Sequence, residues 1–270
     1  VCSSDLLKRL LEKNERWDDL VVLLEQEASR ESDVEARVTH ERAIAKIHEQ
    51  QRHDLIATGD TWVRIVSLVR GDESALDEAV RCYVAGGRSE LAASVIADNI
   101  ADVSDEATRI RMTRKLAELR ESAGEPLGAA ESWAEAAGLS RADGDWARAE
   151  ALFAGAESWE QAANAAEARA DLTQSDEARA DVCVRIAGYL DKAGDAEGAI
   201  LRLEQAVEYK PADAAVAEAL EQRYRETGRL HDLVGVVLKR ADRLSDKEQR
   251  LALLRRAAGM QLEELDDAAA

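Results

Sequence analysis

The chain has 270 residues, 55 of them acidic and 36 basic, for a formal charge of −19, with 46% hydrophobic and 34% charged residues. That charge argues against phosphate backbones and anionic lipid headgroups as partners, and the apolar fraction excludes a disordered chain. No stretch approaches the ~20 apolar residues needed to span a bilayer, and three widely spaced cysteines, Cys2, Cys82 and Cys183, make no disulfide framework.

The charge reads first as solubility of an extended surface and, more sharply, as a preference for a partner with a basic segment. Odd, scattered cysteines fit a reducing, cytoplasmic compartment. Val1-Cys2-Ser3-Ser4 also has the form of the mature end of a lipoprotein, which leaves a periplasmic origin open. With Val at position 1, the chain is expected to be a piece of something longer.

Four Ser-Asp pairs set the organisation: Ser32-Asp33, Ser104-Asp105, Ser175-Asp176 and Ser245-Asp246, separated by steps of 72, 71 and 70 residues. Self-similarity at a fixed period marks a repeat array. Residues 1–31 then form the tail of a preceding unit, whose Arg16-Trp17-Asp18-Asp19-Leu20-Val21 matches Arg229-Leu230-His231-Asp232-Leu233-Val234. Unit one is 32–103, unit two 104–174, unit three 175–244, and 245–270 starts a further unit. Ser32 with Glu35 and Ser245 with Glu248 have capping-box spacing. In unit one, Arg52-His53-Asp54 stands where a turn glycine is expected, and Gly59-Asp60 is expected to interrupt the second helix.

Unit three is the clearest. Ser175 can cap a helix over about 176–192, with Gly194 suited to the left-handed position after it. A second helix runs over about 196–209 and stops at Pro211. A third covers about 214–226 and a fourth about 230–243. Apolar residues recur at helical spacing, as at Leu20, Leu23, Leu24 and Ala28, and no stretch alternates strictly, so an all-α chain without sheet is expected. Past Leu262 another helix should begin.

Ala187, Gly194, Ala199, Leu203, Ala206 and Pro211 closely resemble the tetratricopeptide repeat (TPR) pattern, in which small residues let two helices cross and proline ends the second. Leu116, Ala117, Gly124, Ala129, Trp133 and Ala136 resemble it too, as does the segment from Ala214, and the alternation is similar to long TPR arrays of bacterial proteins. The resemblance implies an α-solenoid of antiparallel hairpins, a right-handed superhelix whose first helices line a concave groove for a peptide or partner helix. The groove positions it implies are Arg111, Arg114, Glu118 and Glu121, then Val184, Gly188 and Asp191, then Glu218, Gln222 and Arg225. A clamp for a C-terminal carboxylate is not supported, because Glu118 and Gly188 stand where that clamp needs Asn. Arg111 and Arg114 form a small basic spot in an acidic chain, with an ordinary solvated helix face as the plainer reading.

Motifs that carry chemistry are missing: no HExxH, P-loop, GxSxG, or GxGxxG after a strand occurs. His40, His48, His53 and His231 are too dispersed for a metal pair and read as exposed or half-exposed helix residues. Trp17, Trp62, Trp133, Trp146 and Trp159 read mainly as packing residues, with Trp146 and Trp159 the better candidates for ligand contact. The sequence therefore points to a non-catalytic interaction scaffold with no cofactor and a protein or peptide partner. The alternative is a regulatory or sensor module attached to a catalytic or signalling domain outside this chain.

Overall fold

The structure is a computed structural model that describes residues 2–263, with side chains over 4–262. Val1, the Cys2 and Ser3 side chains on which the lipoprotein reading turned, and 264–270 lie outside the described residues. The described residues hold fifteen α-helices and no strand. They are α1 (Cys2–Lys13), α2 (Trp17–Arg30), α3 (Val34–Gln50), α4 (Leu55–Leu68), α5 (Glu73–Ala85), α6 (Ser89–Asn99), α7 (Glu106–Ser122), α8 (Pro126–Ser140), α9 (Asp143–Gly155), α10 (Trp159–Leu172), α11 (Asp176–Ala193), α12 (Ala196–Tyr209), α13 (Ala214–Glu226), α14 (Leu230–Arg243) and α15 (Lys247–Glu263). The helices form two compact bodies, the first ending at Ser140 and the second beginning at Arg141. Within each body every helix packs on its neighbour in the chain.

The Ser-Asp pairs do cap odd-numbered helices, but the capping residue shifts. Asp33 accepts from Ala36 N–H at 2.8 Å, Asp105 from Thr108 at 2.7 Å and Asp246 from Gln249 at 3.0 Å, whereas Ser175 accepts from Ala178 at 3.1 Å. The capping boxes expected at Ser32 and Ser245 therefore do not form, since Asp is the cap in both places. A carboxylate adds charge complementarity to the positive end of the helix dipole.

Each odd helix turns into the next even helix through one residue in the left-handed region. Four such residues are glycine, Gly87, Gly124, Gly194 and Gly228, and three are Glu15, His53 and Glu157. Gly194, with φ +85°, sits in a closed C-cap: Asp195 N–H donates to Leu190 C=O at 2.9 Å. Ser158 N–H donates to Phe153 C=O at the same distance around Glu157. The hairpin geometry is thus kept where the glycine is lost, at the cost of Cβ crowding.

Gly59-Asp60 does not interrupt α4, a correction to the sequence reading. A Cβ on Gly59 would lie 2.7 Å from Tyr83 Cε1, and Tyr83 Oη donates to Asp60 at 2.7 Å. The glycine makes room for the ring and the aspartate receives its hydroxyl, so both serve packing between α4 and α5.

The core of the first body gathers Ile65, Leu76, Ala79, Tyr83, Ile96, Met112 and Leu116, with a second group of Leu11, Leu20, Leu24, Ile44 and Ile47 under α1–α3. In the second body Ala187, Ala199, Leu203, Leu220, Tyr224, Leu233 and Val237 pack together. Ala199 and Ala206, two small positions of the TPR pattern, have no exposure at all. Burying such a face, rather than helix propensity alone, holds short helices together.

Candidate interaction groove

From α3 to α7 in the first body and from α9 to α15 in the second, successive odd-numbered helices are joined by ion pairs of mostly one polarity; Arg42 of α3 runs the other way, to the α5 cap Asp72 at 3.7 Å. An acid on the earlier helix receives an arginine from the next odd helix, 32 to 35 residues later. In the first body these are Glu49 with Arg81 at 2.6 Å and Asp77 with both terminal nitrogens of Arg111 at 2.6 and 2.8 Å. In the second they are Glu150 with Arg185 at 3.2 Å, Asp191 with Arg223, and Glu221 with Arg256. Hydrogen-bonding to Asp77 raises the Arg111 guanidinium above its ordinary range, and bonds to Glu49 and Glu78 do the same for Arg81.

These pairs run along the helices expected to line the groove, and they reassign several expected contacts. Arg111 is committed to Asp77, so it is not a free basic spot. Asp191 is committed to Arg223. Glu121 accepts the indole N–H of Trp133, and Val184 joins the core packed around α11 and α12. Glu118 is exposed and pairs with Lys115 of its own helix at 3.4 Å. Glu218 is exposed, Gly188 is exposed with open space around its Cα, and Gln222 donates to Glu226 at 2.8 Å. Arg114 is half-buried and lines a hollow of about 450 Å³ with Arg81, Arg111 and Lys115; Arg225 is exposed.

Four buried acids, Glu41, Asp145, Glu150 and Glu221, escaped the sequence reading, and three of them share a register. Glu41, Glu150 and Glu221 are each the eighth residue of their odd helix and only 4 to 8% exposed. Glu41 receives Arg64 at 2.9 Å. Glu150 receives Arg169 at 2.7 Å, Arg185, and the Tyr189 hydroxyl at 3.1 Å, so one carboxylate ties α9, α10 and α11. Their shared register was the available signal.

Among the histidines, His48 is buried, contrary to expectation. Burial, then Arg52 at 3.0 Å from Nδ1, lowers its pKa. Trp159 stacks on Tyr189 at 6.3 Å with the Lys192 ammonium 4.2 Å from its centroid, so its ring serves the α10–α11 contact. The described residues hold no group of three His, Cys, Asp or Glu able to bind a metal ion, and no helix among them is long and apolar enough to cross a membrane.

No protein-family model matches the chain, and no curated protein matches it. Solved structures do. The chain is similar to YrrB, described as a TPR protein with an unusual peptide-binding site, at 13% identity, 73% of this chain, 96% of that chain and TM-score 0.35. It is similar to the TPR2AB domain of yeast Sti1 in complex with an HSP90 peptide, at 11% identity, 83% and 97% coverage and TM-score 0.31. It is also similar to MamA from Desulfovibrio magneticus RS-1, at 12% identity, 73% and 99% coverage and TM-score 0.33. The helical-repeat, TPR-like architecture of this chain rests on its own hairpins: their small buried crossing residues and left-handed turns.

Proposed function

We propose that this chain is a non-catalytic scaffold that holds a protein or peptide partner, one with a basic segment, along the faces that the odd-numbered helices form within each of its two bodies. The observation that supports this most is the ion-pair series. It consumes arginines, such as Arg111 and Arg223, in joining helices, while exposed acids such as Glu118 and Glu218 stay at the surface. With a formal charge of −19, the remaining field favours cationic partners. Arg114, Glu121, Gln222 and Arg225 complete the proposed contact set, with Val184 and Asp191 acting through the helices they hold in place.

The test is an anisotropy titration with labelled (Arg-Gly)₄ and (Glu-Gly)₄ peptides. The wild type should bind the basic peptide, and Glu118→Lys and Glu218→Lys should each weaken it by about fivefold, the scale of one surface charge pair. Unchanged affinity in both, with loss on reversing Glu208 of α12 instead, would move the site to the even-numbered helices.

A further inference from the structure

The turn from α3 to α4 lacks the expected glycine, and His53 takes the left-handed conformation there instead, at φ +51°. His48, five residues earlier on α3, is only 6% exposed, and its Nδ1 lies 3.0 Å from Nη1 of Arg52. A guanidinium carries donors only, so Nδ1 must be the acceptor and the ring is the neutral tautomer with its hydrogen on Nε2. Through Nε, Arg52 also reaches Asp18 in the first turn of α2 at 3.1 Å. The backbone closes around the same ring: Asp54 N–H donates to His48 C=O at 2.9 Å, and the Asp54 carboxylate then caps α4 by accepting from Ala57 N–H at 2.9 Å. One arginine thus clasps the α3–α4 turn to α2, and its hold on the histidine depends on that ring being uncharged.

We infer that His48 is an acid-sensitive latch: a proton on Nδ1 drives Arg52 off the ring and slackens the α3–α4 turn of the first body. A second N–H would point at the guanidinium, replacing a hydrogen bond with two facing donors and two like charges. The surroundings of the ring set the direction. Burial opposes its charge most, then Arg52; Arg64 of α4 adds a second cation, and Asp54 of the turn and Glu25 of α2 offset them only in part, so the His48 pKa lies below its ordinary value. Asp54 is engaged as the α4 cap, and Arg64 holds Glu41 at 2.9 Å, so neither of these acids is available to pair with an imidazolium. His53, a non-glycine residue in the left-handed region, places strain in the same turn. Because the fold favours neutral His48, its contribution to stability is whole above about pH 6.5 and is lost as pH falls below that value.

The experiment is an NMR titration of the full chain from about pH 8 to about pH 5, with His48 assigned by sequential connectivity. Its Hε1 resonance should titrate with a midpoint below about 6.5, and the amides of Arg52, Asp54 and Ala57 should shift at that same midpoint. A midpoint at or above the ordinary value, or amides that stay still while His48 titrates, overturns the latch. In parallel, the wild-type melting temperature should fall by several degrees between about pH 7 and about pH 5. His48→Gln, whose amide oxygen still accepts from Arg52 but takes up no proton, should remove most of that fall, whereas His53→Asn, at the exposed left-handed position of the same turn, should keep it. An undiminished fall in His48→Gln also overturns the latch. Should that variant fail to fold, the amide shifts of the wild type decide.

Discussion

Two stretches of the second body solve the same packing problem by opposite means. Around α9–α11 the helices approach closely through alanine: α10 buries Ala162, Ala163, Ala165 and Ala166, and the space between helices is bridged by the Glu150 carboxylate with Arg169, Arg185 and Tyr189. Around α12–α14 large side chains fill the gap, with Leu203, Leu220, Tyr224, Leu233 and Val237 all buried. The same hairpin plan therefore tolerates either an ionic bridge between thin helices or an alkyl layer between thick ones. The first concentrates its stabilisation in one group; the second spreads it over many.

The sharpest test of the shared plan is Ala206→Asp, which sets a carboxylate at a fully buried crossing between α11 and α12. It should cost about 4 kcal/mol, the scale of an unpaired buried charge, or prevent folding. A wild-type melting curve would show that the small residues do not lie at the crossing. Next in size, Glu150→Ala leaves Arg185 and the Tyr189 hydroxyl without their acceptor, while Arg169 keeps Asp143, and should cost about 3 kcal/mol by denaturant unfolding. Leu220→Ala should cost a similar ~3 kcal/mol by leaving a cavity. The two should diverge on Glu150→Gln, which keeps the volume; if that variant is as unstable as Glu150→Ala, packing rather than charge holds α9–α11.

Alkaline pH gives a smaller contrast. Burial, then the bond to Glu204, raises the Tyr224 pKa above 10, and burial, then Glu150, raises that of Tyr189. Both phenols stay protonated in the fold while the unfolded chain ionises, so stability is intact below pH 10 and falls as pH rises above it. Tyr224→Phe should flatten that fall in a pH series of melting temperatures more than Tyr189→Phe does, because Tyr224 has no exposure. The smallest expected effect is a gain: Glu157→Gly relieves a non-glycine residue at φ +58° and should add about 1 kcal/mol. A loss there would mean that the side chain repays its own strain.

Much of the helix plan was legible in the sequence because its signals are local. The expected spans 176–192, 196–209, 214–226 and 230–243 fall within a residue of α11 to α14, since caps, glycine and proline mark them. Gly59-Asp60 misled because its meaning lies in the Tyr83 ring, 24 residues on. The groove was less legible for the same reason. Arg111 looked free because Asp77, its partner, is 34 residues away, and Glu150 could not be singled out from 55 acids without the register of the other odd helices. Pairing acids with arginines one hairpin apart would have recovered much of this network from the sequence.

The shared polarity of those five ion pairs gives each body a reading direction. From α3 to α7 in the first body and from α9 to α15 in the second, an odd helix offers an anion to its successor, which returns a cation, so the order of hairpins is written into their edges as well as into the chain that links them. Gain or loss of a whole hairpin keeps that coupling, as in one-way connectors, whereas an inverted hairpin would set like charges face to face. Lengthening by duplication is thus an easy path for such a molecule, and shuffling is a hard one.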